Sequence, residues 1–421
     1  HPIVEKQSSV YAFNSVTNGI TAWTDEKLKT LNYRTVNTLA DFDEMIAEVK
    51  ERGVFAIDTE TRGKDPYLFN KPDNYFPLVS IQISTKEESA WFLPIAHVDF
   101  AGKNITSDFW DGIAWSKREF DYIKASLKEI LESKDLISIG HNFKFDAKWM
   151  MQYLGIRSVL KFDTMLAHGL FEETSNSLKK IAWSLTSMGG YEETQTKYTN
   201  SLPEDKQWDM FFYPMEQLAA YGCCDADVTF RVYNIFNKKL SLDTTQLELF
   251  KLLIRVSNTF SDIEHNGIKI NTEYLKKLEF ELDLESNALY EQFVSYASKE
   301  IVEIEEELSF EAIGKSGKVL KNKPTYFNLD SPTDVAKLFF EKLKIPIDSD
   351  YISKKTEKPS VGRAVLEKLQ HEYPIAKTLL EYRKVAKQKS GFVDAYPKFI
   401  DKNDRIHSTF SLIKYYDDDA D

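Results

Sequence analysis

The stretch from Val54 to Gly63, VFAIDTETRG, most limits the folds open to this chain, because an apolar, strand-forming run ends on two carboxylates. Side chains two positions apart in a β-strand point to the same face, so Asp58 and Glu60 project together from Cα atoms about 6.6 Å apart. That separation is within reach of one shared cation. The pair therefore predicts a strand whose end is either a solvated sheet edge or one wall of a cation site.

The surrounding pattern predicts an α/β layer. Residues 37–53, NTLADFDEMIAEVKERG, carry apolar side chains at helical spacing and close on a glycine. Two short strand-forming runs, 78–84 and 89–95, are separated by the polar TKEE, which indicates a hairpin. A long amphipathic helix, 116–135, then leads into the strand-like LISIG at 136–140. Strands and helices in this order predict a mixed β-sheet flanked by helices.

Composition excludes several classes of protein. With 421 residues, 42% of them hydrophobic, the chain is too long for one ordinary core and suits two or three globular domains. No apolar run approaches the roughly 20 residues that a membrane span needs, so no membrane partner is expected. The two cysteines, Cys223 and Cys224, are neighbours, which excludes a disulfide framework or a cysteine zinc site.

The charge is distributed unevenly along the chain. The whole chain carries −12, but the segment from Ala312 to Lys402 holds 19 Lys and Arg against 11 Asp and Glu, a net of +8. This segment follows two long amphipathic helices that begin near Thr245. A basic, helical region suits contact with phosphates, and it equally suits a solvated helix face.

Two further polar groups follow the acidic strand. Asn142 and Asp146 come directly after LISIG, in HNFKFDAKWM, and Tyr221 and Asp225 lie four apart in YGCCDAD, on one helix face. Each has an ordinary alternative. Asn142 suits the N-cap of the next helix. Tyr221 suits a core aromatic and Asp225 a surface acid, with Asp227 an equal rival for any role of Asp225.

The ordered set DTE, HNFKFD and YGCCD resembles the three exonuclease motifs of the DEDD superfamily, in its tyrosine-bearing branch, as found in the proofreading domain of family A DNA polymerases. The resemblance implies an RNase H-like fold, with Tyr221 orienting the attacking water. It implies a supporting role without metal for Asp163, in FDTMLAHGL. It also implies metal-binding carboxylates, which are Asp58, Glu60, Asp146 and Asp225, and contacts to the terminal nucleotide, for which the candidates are Thr59, His141, Asn142 and Phe145.

Electrostatics agrees with a metal site. Four carboxylates within about 6 Å of each other repel by roughly 3 kcal/mol per pair at an effective dielectric constant of about 20. Two divalent cations cancel the four charges, and oxygen-only ligands suit Mg²⁺ or Mn²⁺. Two such ions about 3.5 to 4 Å apart activate a water and stabilise the leaving 3′ oxygen of a phosphodiester.

The second half of the chain also resembles family A polymerases. IEHNGIKIN, NLDSPTDVAKLFFEKLKIP and LLEYRKVAKQKS are similar to segments of the thumb, and DRIHSTF to the start of the palm. The resemblance implies an N-terminal extension at 1–35, an exonuclease domain at 36–240 and a mainly α-helical, thumb-like region with the start of the palm at 241–421. It implies single-stranded DNA at the exonuclease site and duplex phosphates at the thumb, held by Arg383, Lys384, Lys387 and Lys389.

The departure from the family pattern lies at the end of the chain. The palm and fingers motifs do not follow DRIHSTF, so we expect that the chain alone does not extend a primer. It is expected to be a fragment, or half of a split polymerase whose palm and fingers come from another chain. The closing run IKYYDDDAD, with Asp417, Asp418, Asp419 and Asp421, is expected to be a solvated tail.

These observations favour a 3′–5′ proofreading exonuclease of a family A DNA polymerase, located in the cytoplasm, that of the host if phage-encoded, or in an organelle. Two alternatives stay open. One is a stand-alone, RNase D-like exonuclease acting on RNA. The other is a non-catalytic scaffold that docks DNA or the other half of a split polymerase, although scaffold duty does not need a costly acidic cluster.

Overall fold

A computed structural model describes residues 25–69, 76–95, 115–312, 325–353 and 356–413, and these form two compact units. Unit 1 takes in residues up to Gly267 and resumes at His407, and unit 2 is Ile268–Ile406. The predicted boundary between residues 240 and 241 rests on the sequence and stays a prediction, whereas the contacts divide the chain at Gly267.

Unit 1 is built on a mixed sheet whose central strand ends in the acidic pair. Its strands are β1 (Asn32–Thr35), β2 (Val54–Thr61), β3 (Leu78–Lys86), β4 (Ser89–Pro94), β5 (Ile137–Gly140) and β6 (Phe162–Asp163). Their order in the sheet is β1-β4-β3-β2-β5-β6. β2 is antiparallel to β3 and parallel to β5, and β3 and β4 form the predicted hairpin. The mixed sheet expected from the sequence is confirmed.

Helices cover the sheet of unit 1. They are α1 (Asp25–Leu28), α2 (Leu39–Arg52), α3 (Lys117–Leu131), α4 (Lys144–Trp149), α5 (Thr164–Phe171), α6 (Leu178–Leu185), α7 (Glu193–Ser201), α8 (Met215–Ser241) and α9 (Thr244–Asn266). The helix expected over 37–53 is α2. Thr38 and Asp41 form a capping box at its start, and Gly53, at φ 68°, ends it in the left-handed conformation that glycine adopts without strain.

The long helix α8 packs across β2, β3 and β4. Gly222 sits where the approach is closest, since a Cβ there would lie 2.8 Å from Cδ of Gln82 on β3. A side chain at this position would therefore require the side chain of Gln82 or α8 itself to move. The core of unit 1 lies between the sheet and the helices, with Phe42, Phe55 and Trp149 among its buried side chains.

Unit 2 is mainly helical and has a core of its own, around Phe293, Phe339 and Leu366. Its helices are α10 (Thr272–Tyr296), α11 (Ser298–Glu311), α12 (Pro332–Ala336), α13 (Arg363–Leu369) and α14 (Pro374–Gln388). Two short strands, β7 (Ile268–Lys269) and β8 (Arg405–Ile406), pair antiparallel and close the unit. The acidic run at 417–421 lies outside the described residues. In the part of the chain that is described, no helix is long and apolar enough to cross a membrane.

Candidate active site

Three of the predicted metal-binding acids meet at the end of the central strand. Asp58 and Glu60 project from β2, and Asp225 reaches them from α8. One carboxylate oxygen of each lies within 4.8 Å of those of the other two, which is close enough for one cation to touch all three. The i and i+2 spacing along β2 thus places both acids on the face that α8 covers.

Asp146, the fourth acid, lies on α4 outside this group of three, but near enough that its charge raises the pKa of Asp58. Its Oδ1 accepts a hydrogen bond of 2.5 Å from Oγ1 of the buried Thr59, the residue between the two strand acids. Burial raises the pKa of Asp146 to about 7, and the bond from Thr59 lowers it in part. Thr59, a candidate for nucleotide binding, therefore orients a carboxylate in this structure.

Each ionised acid of the cluster makes ionisation of its neighbours less favourable. Burial, followed by the charges of Asp225 and Asp146, raises the pKa of Asp58 well above its usual range. Burial and Asp225 do the same for Glu60. A cation would relieve this cost. The donor set is carboxylate oxygen throughout, which fits a hard divalent metal.

Tyr221 lies one helical turn before Asp225 on α8, as the sequence predicted. Burial raises the pKa of its hydroxyl well above the usual range, and the charge of Asp225 and a hydrogen bond to it raise the pKa further. Its hydroxyl therefore stays protonated at neutral pH.

Two side chains that the sequence reasoning missed complete the cluster. Tyr191 donates a hydrogen bond to Oδ1 of Asp225, and Lys179 of α6 forms an ion pair with the same oxygen. The ammonium of Lys179 also lies 4.7 Å from the ring centroid of Tyr221. No motif marks these residues, because Lys179 lies 46 positions and Tyr191 lies 34 positions before Asp225, and both reach it only through the fold.

The loop between β5 and α4 is held by Asp163. Its carboxylate accepts from the backbone N–H groups of Asn142 and Phe143, and it also caps α5 by accepting from those of Met165 and Leu166. Burial raises the pKa of Asp163, and these four bonds oppose the rise. Asp163 thus fixes the start of the helix that carries Asp146.

The candidates for nucleotide contact in this loop are placed differently from one another. His141 bridges Oγ1 of Thr164 at 2.9 Å and the backbone oxygen of Asn176 at 3.0 Å, and burial lowers its pKa to about 3, so its ring is neutral. Asn142 has a left-handed φ of 54° and is not the N-cap of α4, a position held by Phe143. Phe145 is half-buried against the core.

Two neighbouring charged residues have structural partners. Asp227, the rival of Asp225, bonds to Arg231 at 2.9 Å, to the hydroxyl of Tyr33 and to the N–H of Glu88. Its carboxylate is therefore satisfied away from the cluster. Arg62, directly after β2, forms a fully buried bidentate pair with Asp209, both bonds being 2.9 Å.

Glu264 of α9 gathers positive and polar groups around α4. Its carboxylate pairs with Lys144 and lies 3.4 Å from Nζ of Lys148. It also accepts from the N–H of Phe410 at 2.8 Å. Lys148 in turn donates to Oγ1 of Thr409. We call these five residues the Glu264 cluster, and they tie α4 to α9 and to the segment after β8.

The predicted DNA-backbone residues lie in unit 2. Lys384 and Lys387 are exposed on α14. Arg383 donates to the backbone oxygen of Val361, and Lys389 pairs with Asp283. Two of the four candidates are therefore presented to solvent, and two are held by the protein.

The fold and the cluster define the class of the protein: a mixed sheet with a group of converging acids at the end of its central strand is typical of an RNase H-like exonuclease domain, here followed by a helical region. Residues 33–241 match the 3′–5′ exonuclease family, and residues 294–414 match DNA polymerase family A. The chain belongs to the family A DNA polymerases, of which it carries the exonuclease domain and part of the polymerase domain.

Individual relatives agree with this assignment. DNA polymerase I of Borreliella burgdorferi is 27% identical over 410 residues, which are 97% of this chain and 38% of the relative. The DNA polymerase of Escherichia phage T5 is 26% identical over 332 residues, 75% of this chain and 35% of the relative. The chain thus spans well under half the length of these relatives.

One solved structure shares the fold. It is the POL domain of Pol1 from M. smegmatis, in complex with a DNA primer-template and dNTP. The TM-score is 0.56 at 16% identity, and the match covers 90% of this chain and 52% of that one.

Proposed function

We propose that the chain is a metal-dependent 3′–5′ exonuclease that removes the terminal nucleotide of a DNA strand and proofreads for a family A DNA polymerase. The observation that carries the proposal is the meeting of Asp58, Glu60 and Asp225, whose carboxylate oxygens lie within 4.8 Å of one another. The exonuclease domain is proposed to span 36–240, and the region at 241–421 to be the thumb-like part with the start of the palm.

The donor set would hold Mg²⁺ or Mn²⁺, and four carboxylates balance two such ions. These ions would lower the pKa of a water and offset charge on the phosphate under attack. The protein's own groups supply the orientation. Thr59 holds the carboxylate of Asp146, and Asp163 fixes the loop before α4. The protonated hydroxyl of Tyr221 is positioned to orient the attacking water.

DNA is the proposed substrate, because the relatives are DNA polymerases and the Pol1 structure holds a primer-template. A single-stranded 3′ end would enter the acidic cluster, and duplex phosphates would contact the exposed Lys384 and Lys387. The chain would act where DNA is replicated, in the cytoplasm of a bacterium or of a phage-infected host, or in an organelle.

A 5′-labelled single strand of DNA tests the proposal. We expect stepwise shortening in Mg²⁺ or Mn²⁺ and none with a chelator. Asp58→Ala with Glu60→Ala should lower the rate at least about a thousandfold, because the ligands on the central strand are lost. The matched control, Glu51→Ala with Asp135→Ala, removes two exposed acids and should cleave normally.

Three results would contradict the proposal. Cleavage that persists in the Asp58 and Glu60 variant would place the active site elsewhere. A strong preference for RNA over DNA of the same sequence would favour an RNase D-like enzyme, and the absence of both metal binding and cleavage would favour a scaffold.

A further inference from the structure

Lys179 introduces a permanent positive charge into the acidic cluster from outside the three motifs. It lies in the first turn of α6, and its ammonium pairs with Oδ1 of Asp225. The lysine side chain is 29% exposed and the aspartate 5%. The contact is therefore partly shielded from water, where an ion pair is stronger than at an open surface.

Aromatic rings and neighbouring acids hold the ammonium at this point. Its Nζ lies 4.7 Å from the ring centroid of Tyr221 and 5.3 Å from that of Tyr191. Both distances are in the range of cation–π attraction. The charge also reaches the strand acids, because Lys179 opposes the rise in pKa of both Asp58 and Glu60. The ammonium thus offsets part of the repulsion that a divalent metal would relieve.

The metal and the lysine would use the same carboxylate. Asp225 is one of the three acids whose oxygens converge, and its Oδ1 already accepts from Lys179 and Tyr191. Two cations placed on one carboxylate repel each other, so binding of either weakens binding of the other.

We propose that Lys179 is a built-in counter-ion that competes with the divalent metal for Asp225, and so sets the metal concentration at which the nuclease site fills. Lys179 is then a positioning residue of the acidic cluster, which it stabilises at low metal concentration. This inference rests on the proposed function, because it takes the cluster to be a metal site.

Calorimetric titration of the whole chain with Mn²⁺ tests the inference. Lys179→Met should lower the Kd for Mn²⁺ about tenfold, which corresponds to about 1.4 kcal/mol. Lys179→Arg keeps the charge and should bind Mn²⁺ as the unchanged chain does. Lys180→Met removes a neighbouring exposed lysine of α6 and should also leave the Kd unchanged.

Thermal melting in a chelator gives a second readout. The Tm of Lys179→Met should fall below that of the unchanged chain, because the acids lose their counter-ion, and saturating Mn²⁺ should close the gap. Equal or weaker Mn²⁺ binding by Lys179→Met would overturn the inference, as would tighter binding by Lys179→Arg. If the unchanged chain binds no Mn²⁺ and does not shorten DNA, the proposed function fails instead.

Discussion

The carboxylate of Glu264 accepts a hydrogen bond of 2.8 Å from the backbone N–H of Phe410, which lies 146 residues further along the chain. The same carboxylate pairs with Lys144 and approaches Lys148, and both lysines flank Asp146 on α4. The returning segment after β8 is thereby tied to the helix that presents an acid of the cluster.

We expect Glu264→Gln to lower the free energy of unfolding of unit 1 by about 3 kcal/mol, because it leaves two partly buried lysines without their acid. The urea midpoint, followed by circular dichroism, measures the change. Glu51→Gln removes an exposed carboxylate of the same unit and should shift stability by less than about 0.5 kcal/mol. Equal midpoints for the two variants would mean that the Glu264 cluster contributes little.

The hydroxyl of Thr59 should set the pH at which Asp146 ionises. Removing it in Thr59→Val takes away a bond that lowers the pKa of Asp146 from an already raised value of about 7. A rise of about one unit would reduce the ionised fraction at pH 7 from about a half to about a tenth, which is about fivefold. At a metal concentration too low to fill the site, where protonation competes with metal binding, we expect the cleavage rate to fall by a similar factor at pH 7 and to recover at pH 9.

The pH profile of cleavage measures this effect. Thr59→Ser keeps the hydroxyl and should follow the unchanged chain across the range. A Thr59→Val profile that is lower by a constant factor at every pH would instead indicate a change in geometry.

In the absence of metal, the free energy of unfolding should depend on pH because the carboxyls of the acidic cluster titrate. Burial and mutual repulsion raise the pKa of Asp58 and Glu60 in the folded state, whereas unfolded carboxyls titrate near pH 4. The folded state therefore binds more protons above about pH 4. The protonated carboxyls therefore contribute their full stabilisation at low pH, and this contribution is lost as the pH rises through their raised pKa values in the folded state.

The measurement is the Tm in a chelator from pH 5 to pH 8. Asp58→Asn with Glu60→Gln removes both groups, so the unchanged chain should lose about 5 °C more than this variant over the range. Taking the difference between the two chains cancels the pH dependence that the histidines contribute to the Tm. One of them is His141, whose lowered pKa makes stability rise with pH. Parallel curves of Tm against pH for the two chains would show that ionisation of the strand acids does not destabilise the folded state.

Asp163→Asn should loosen the loop before α4. The carboxylate accepts four backbone N–H bonds, and an amide has only one oxygen to offer them, so we expect a loss of about 2 kcal/mol. Urea unfolding checks the value. Asp135→Asn, an exposed acid just before β5, serves as the control and should be neutral.

Lys384→Gln with Lys387→Gln should weaken binding of duplex DNA without regard to its sequence. Each lost phosphate contact should reduce the slope of log K against log salt by about 0.9. Fluorescence anisotropy at several salt concentrations measures the slope. Lys276→Gln with Lys358→Gln makes the same charge change at other exposed positions of unit 2 and should leave the slope unaltered.

Local signals predicted much of the framework. The helical spacing and closing glycine of α2, and the polar break between β3 and β4, act over a few residues, so the sequence is enough to identify them. The acids were grouped by their order along the chain and by resemblance to a family. Their roles stay predictions, although three of the four converge in the structure.

What the sequence did not indicate depends on contacts between distant elements. Lys179 and Tyr191 reach Asp225 only once α6 and α8 have packed, and no spacing rule links them. His141 was a candidate for nucleotide contact, but both of its ring nitrogens bond within the protein. Single-residue chemistry does not distinguish such a structural histidine from a ligand-binding one.

Gly222 gives the site a narrow mutational tolerance. Tyr221 precedes it and Asp225 follows it on α8, so all three move with the helix. A single added methyl group would press on the buried side chain of Gln82, so that side chain or the helix would have to shift. The separation between the tyrosine and the strand acids is therefore sensitive to the size of the residue between them, and alanine at this position should lower the cleavage rate more than it lowers the Tm.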